Sequence, residues 1–172
     1  ISLIETRESL EELFQRLSAW CVIEADGDRF NFRFADTRRL PAIYRSLNQT
    51  QRGQFAGPAV RWFYIARDGK WRALELDSPG TNIESNPRLD QAQFGSLVDD
   101  SRADEILRLL RDRAYDVYRQ PSRSYAVLEI ALKAASASKL DDEDLVSWCA
   151  SFWQDDQLHE AVMTKASLDA RR

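Results

Sequence analysis

Arg33 and Asp36 stand three residues apart in the stretch Phe32-Arg33-Phe34-Ala35-Asp36-Thr37-Arg38-Arg39-Leu40. No other side chains in this sequence combine type and spacing so specifically. A guanidinium and a carboxylate at that separation form an ion pair or cap a turn, and an aligned pair of this kind fixes geometry even where its net stabilisation is small. Catalytic constellations are missing from the sequence. The one histidine, His159, lies in a polar stretch near the C-terminus. No Ser-His-Asp or Cys-His arrangement can be assembled around it without another base. Asp141 to Asp144 lacks the glycine and terminal Glu of a calcium loop and reads as helix-start charge. Neither G-x-x-x-x-G-K nor G-x-G-x-x-G occurs. The reading is a non-enzyme, with no catalytic residue, no metal ligand and no cofactor.

The elements that must position Arg33 and Asp36 are a strand, a corner and a helix. Phe30, Phe32 and Phe34 alternate with Asn31 and Arg33, which predicts a strand over 29–34 with one apolar face. Its partner is a short strand from Trp20 to Glu24, joined to it through the Asp26-Gly27 turn. Leu40, Ile43, Tyr44 and Leu47 form the apolar stripe of a helix over about 38–48. Pro41 falls in its first turn, where a missing N–H costs nothing, and Asp36 and Thr37 are the capping residues. Upstream, Ser9-x-x-Glu12 is a capping box for a helix whose core stripe reads Leu10, Leu13, Phe14 and Leu17.

Downstream, Thr50 to Gln54 predicts one helical turn, broken at Gly57-Pro58. Val60–Ala66 and Trp71–Leu76 predict a hairpin around Arg67-Asp68-Gly69-Lys70. Asp77–Leu89 has Pro-Gly and Asn-Pro punctuation and no period, and reads as a linker or ordered loop. Helices then start at Ser101, Pro121, Asp141 and Asp155 or Asp156. The expected fold is α+β: a small antiparallel β-hairpin or sheet with packed helices over 1–76, a linker at 77–89, and a helical bundle over 90–172.

Two segments carry a resemblance. Strand, Phe-Arg-Phe-x-Asp-x-Arg and helix, in that order, are similar to the FRFYDPR signature of the type VI secretion adaptors (Tap or TEC), bacterial chaperones that load toxic effectors onto the VgrG spike. Phe55-Ala56-Gly57-Pro58, followed by Val60 and Trp62, resembles the FFGP…W segment of that family. The likeness covers Ser9 to Leu76. It departs at Ala35, where the family has Tyr, and at Thr37, where it has Pro, and the family's N-terminal half-domain has no counterpart here. The resemblance implies the C-terminal half of an adaptor domain plus a helical extension. It also implies a secreted effector and VgrG as protein partners, no cofactor, and a bacterial cytoplasmic location. Arg33, Asp36, Gly57 and Pro58 are then structural motif residues, and Arg38, Arg39, Arg61 and Trp62 are candidates for partner contact. Arg38 and Arg39 are expected to be exposed, because Leu40 and Ile43 define the buried face.

Composition sets the remaining bounds. Hydrophobic residues at 44% and charged residues at 30% exclude a disordered chain. The apolar runs are too short to cross a bilayer and no signal peptide is visible. The first residue is Ile, so a fragment or processed chain is expected. Cys21 and Cys149 read as reduced, buried thiols of a cytosolic protein. Charge is unevenly spread: residues 1–28 carry net −5, residues 29–72 net +8 with nine Arg, and residues 73–172 net −7. Two readings stay open, internal compensation within one fold or an Arg-rich surface for an acidic partner. The basic 29–72 segment also allows a nucleic-acid-binding alternative, with Trp62, Tyr64 and Trp71 as stacking groups. A pI near 5.1 and the absence of a nucleic-acid motif weigh against it. A non-catalytic piece of a larger enzyme is the third reading.

Overall fold

The computed structural model describes residues 1–77, 79–80, 86–113, 116–117, 121–135 and 140–154. The expected last helix from Asp155 or Asp156, and His159 with it, lie outside these. The fold is α+β, with small antiparallel sheets, helices and a C-terminal helical region. It divides into two compact units, Ile1–Asp100 and Ser101–Arg172.

The first unit opens with β1 (Ser2–Thr6), which the sequence reading missed, and α1 (Leu10–Ala19). Ser9 caps α1 through the expected reciprocal box with Glu12. β2 (Val22–Ala25) and β3 (Asp28–Asn31) pair antiparallel about the Asp26-Gly27 turn. α2 (Leu40–Ser46) and α3 (Gln49–Ala56) follow. Asn48 and Gln51 form a second capping box at the start of α3. β4 (Ala59–Ile65) and β5 (Trp71–Ala73) make the expected hairpin, with Gly69 at a φ of 76° in its turn. β1 pairs with the far side of β4, so the sheet order is β1-β4-β5.

The core of this unit is aromatic. Trp20, Phe32, Tyr44, Phe55 and Trp62 are buried together, and Phe34 packs against them. Phe55 is the hub: its ring stacks on Trp62 at 5.0 Å and meets Trp20 and Phe34 edge-on at 5.2 and 5.3 Å. The apolar stripe expected on α1 is only half used. Leu10 and Phe14 are 83% and 66% exposed, while the helix turns Arg16 and Trp20 inward.

The division between units falls after Asp100, later than the expected 77–89 linker. Both ends of that stretch are tied to the first unit. Asp77 N–H donates to the Tyr44 hydroxyl at 3.0 Å and its carboxylate pairs with Arg52 at 2.9 Å. Glu24 N–H donates to Pro87 O, and Leu89 N–H to Glu24 O, each at 2.9 Å, so 87–89 runs alongside β2. Leu89, Phe94 and Leu97 then join the aromatic core.

α4 (Gln91–Asp112) begins ten residues before the expected start at Ser101. Asp90 starts it by exchanging hydrogen bonds with Gln93, a D-x-x-Q box that was legible in the sequence. α5 (Pro121–Ala135) and α6 (Asp142–Gln154) begin where expected. Asp141 accepts the Asp144 N–H at 2.8 Å as the α6 cap. The second unit's core joins Ile106, Leu107 and Leu110 of α4 with Val127, Leu128 and Ala131 of α5 and with Val146, Cys149 and Phe152 of α6. Trp148 Nε1 donates to Ala131 O at 3.0 Å, tying α6 to α5. Cys149 is fully buried, and burial pushes its thiol up to about 11, which suits a core residue rather than a reactive one. Cys21, expected buried, is exposed.

Candidate protein-interaction site

The corner after β3 is built around the Asp36 carboxylate. β3 ends at Asn31, earlier than expected, although Phe32 N–H still donates to Cys21 O at 2.9 Å. The chain then turns. Asp36 accepts from Arg38 Nε at 2.8 Å and Nη2 at 2.6 Å, and from the Arg38 backbone N–H at 3.2 Å. Arg33 Nη2 approaches the same carboxylate at 3.6 Å. The Asp36 backbone carbonyl accepts from Arg39 and Leu40 N–H, which leads into α2. Asp36 therefore caps the turn before the helix rather than the helix itself. The Arg38 hydrogen bonds hold its carboxyl below the usual carboxylate range, against the opposing effect of burial. Arg33 and Arg38 both remain more than half exposed while making these bonds.

Arg39 departs from expectation. It is mostly buried, donating to Leu97 O at 2.8 Å and pairing with Asp100 at 3.4 Å. α4 starts early enough to bring these acceptors to it. Trp62 departs too. At 2% exposure, with its ring stacked on Phe55, it belongs to the core and offers nothing to a partner. Tyr64 is also buried, so two of the three stacking groups of the nucleic-acid alternative are unavailable. Arg61 is exposed, facing Glu5 across the β1–β4 pair at 3.5 Å.

The arginines of 29–72 are largely compensated within the fold: among the described residues at least seven of the nine, Arg29, Arg33, Arg38, Arg39, Arg52, Arg61 and Arg72, lie within 4 Å of a carboxylate, while Arg29, Arg33, Arg38, Arg61 and Arg72 keep more than half of their side chains exposed. The acidic partners include Glu5 and Glu24 before the segment and Asp77 and Asp100 after it.

Gly57 has a steric and a conformational reason to be glycine. It ends α3 at φ 56° and ψ −145°, and a Cβ there would stand 2.7 Å from Arg16 Cδ and 2.8 Å from its Cζ. Arg16, 2% exposed, was missed by the sequence reading. Its Nε and Nη2 donate to the Glu8 carboxylate at 2.7 and 2.5 Å, and its Nη1 donates to Phe55 O. That bidentate fork holds the Glu8 carboxyl below the usual range. Pro58, next in sequence, is exposed. Thus Gly57 clears space for a buried ion pair, and the Phe55 before it packs on Phe34 of the corner. The two segments quoted above form one unit.

Among the described residues no group of three or more His, Cys, Asp or Glu side chains is arranged to hold a metal ion. Among the same residues no helix is long and apolar enough to cross a membrane. A family model described as a domain of unknown function, DUF4123, matches residues 1–54, which includes α1, the β2–β3 pair and the whole Asp36 corner. No curated protein and no solved structure matches the chain.

Proposed function

We propose that this chain is a protein-binding adaptor that holds a secreted effector and helps load it onto the VgrG spike of a bacterial type VI secretion system, acting in the cytoplasm without a cofactor. The family model matched by residues 1–54 is associated with type VI effector adaptors, which supports the reading. The observation that carries it is the union of the two segments resembling that family. The Arg33–Asp36–Arg38 corner and the Gly57 helix end meet through Phe34 and Phe55. The result is a rigid corner that presents two half-exposed guanidiniums on a fixed carboxylate. Such a surface steers an acidic partner and sets its orientation, while the buried aromatic hub supplies the rigidity.

The test is co-expression with a VgrG spike protein and a candidate type VI effector from the same genome, followed by titration of each against the purified chain. The reading expects a stoichiometric complex with at least one of them. It expects Arg38→Glu to slow association and lower its salt dependence while the melt stays within a few degrees. Absence of binding to both partners, or co-purifying nucleic acid that high salt removes, would overturn it.

A further inference from the structure

We infer that the polar face of the β2–β3 sheet docks an extended acidic segment of a partner protein, with one carboxylate seated between Arg29 and Arg88 and the next at Arg33 and Arg38. The inference rests on the premise of the adaptor reading that the Asp36 corner binds protein, and it adds a second anchor to that corner.

The pleat places these groups on one side. Ile23 is buried, and Phe30 opposite it packs on the aromatic core. Val22, Glu24, Arg29 and Asn31 therefore face the other way. Phe32 and Phe34 also turn inward, which keeps Arg33 on the outer side. Residues 87–89 run parallel to β2, with Arg88 beside Glu24 and Leu89 in the core. Across the sheet the order is thus Arg88, Glu24, Arg29. Along the chain it is Arg29, Asn31, Arg33, and then the corner with Arg38.

Both ends of this row repeat one arrangement, a carboxylate shared by two guanidiniums. Arg88 Nε donates to Glu24 at 3.1 Å, and Arg29 reaches the same carboxylate only at 3.5 Å. Arg38 donates twice to Asp36, and Arg33 reaches it only at 3.6 Å. Among the described residues, Arg29 and Arg33 thus pair by charge without a close hydrogen bond, and their side chains are 71% and 63% exposed. Their N–H forks remain open to a further acceptor.

The end away from the corner is concave. A cleft of about 530 Å³ is lined there by Arg29, Arg88, Glu24, Ala25 and Leu89, with Asp26 and Gly27 of the turn. The two arginines are exposed while Ala25 and Leu89 are buried, so the guanidiniums form its walls over an apolar floor. Asp26 offsets part of the positive charge and limits the cleft to a single anionic group.

The choice of cation names the anion. Residues 29–72 hold nine Arg and one Lys. Lys serves a merely solvated face equally well, whereas Arg suits a planar carboxylate held by two parallel N–H bonds. Nucleic acid fits less well: the chain carries net −4, and Trp62 and Tyr64 are buried. Arg29 and Arg33 lie four residues apart, at most about 13 Å along a strand. Residues i and i+4 of an extended segment have the same reach. Val22 and Asn31, paired between the two ends, meet its spacer.

The probe is a capped synthetic peptide with Glu at i and i+4 and Ser, Thr and Val elsewhere, titrated into the ¹⁵N-labelled 172-residue chain by NMR. Saturable shifts are expected at Arg29, Asn31, Arg33 and Arg88. Replacing both peptide glutamates by Gln should weaken binding about tenfold or more. Arg29→Ala combined with Arg88→Ala should do the same, and because both side chains are exposed the melt should stay within a few degrees. Arg29→Lys keeps the charge but loses the fork, and should weaken binding several-fold. The proposal is overturned by equal binding of the Gln peptide, by the absence of saturable shifts, by shifts confined to the Asp36 corner, or by tighter binding of an oligonucleotide of equal charge. Titrations with the spike and the effector judge the adaptor reading separately. A peptide that binds as expected while both proteins fail to bind would refute that reading and uphold the acidic-segment site.

Discussion

Arg16→Met should be among the most damaging single changes in the first unit. Arg16 is 2% exposed and its guanidinium satisfies both Glu8 oxygens and the Phe55 carbonyl. Methionine replaces the stem but none of the three donors, leaving a nearly buried carboxylate and a buried carbonyl without partners. Removing one member of a buried pair costs about 3–5 kcal/mol. Against a total stability of about 5–15 kcal/mol this is a large fraction. At about 2–4 °C per kcal/mol for a chain of this size, the melting midpoint should fall by about 6–20 °C. The double variant Arg16→Met with Glu8→Leu removes both charges, and it should recover more than half of the loss. Urea unfolding of the two single variants and the double variant closes the cycle. A loss below about 1 kcal/mol for Arg16→Met, or a double variant no more stable than the singles, would refute the argument that this pair is buried and mutually dependent.

Other perturbations follow the same physics. Gly57→Ala places a Cβ against Arg16 at a positive φ, and should destabilise by about 3 kcal/mol in thermal melts. Asp36→Ala removes the acceptor that closes the corner, and should cost about 1 kcal/mol; an unchanged midpoint with lost partner binding would make Asp36 a contact residue instead. The Glu8 and Asp36 carboxyls are both held below their ordinary range. The unfolded chain therefore binds more protons than the folded one in acid. The stability these groups contribute is full above the ordinary carboxylate pKa and is lost as pH falls through the lower folded values. Urea midpoints should be flat down to about pH 5 and fall below it. Glu8→Gln should flatten that fall.

Much of this fold was legible because its signals are local. The Ser9–Glu12 box, the Asp141 cap, the alternation of Phe30, Phe32 and Phe34 and the hairpin turn at Gly69 each depend on residues within a few positions of one another. What escaped depends on distance. β1 pairs with a strand nearly sixty residues away, and Leu3 and Ile4, adjacent and both apolar, hide which face is inward. The burial of Arg16 is set by Glu8 and Phe55 together, and nothing in the sequence near Arg16 separates it from a surface arginine. Arg39 was misread because its acceptors, Leu97 and Asp100, lie some sixty residues on, in a helix whose Asp90–Gln93 start had gone unnoticed. Trp62 shows the converse: an aromatic in a motif resembling an interaction family is a core residue, stacked on Phe55.

The central claim is that this chain binds a secretion cargo or its spike through a rigid, charge-bearing corner. Titration calorimetry of the purified chain against a VgrG spike protein and a candidate type VI effector from the same genome tests that most directly, with Arg33→Glu and Arg38→Glu run in parallel. The account predicts saturable binding to at least one of them, weakened about tenfold or more by either reversal while the melting midpoint stays within a few degrees. Binding to neither protein, or binding that both reversals leave untouched, would contradict it.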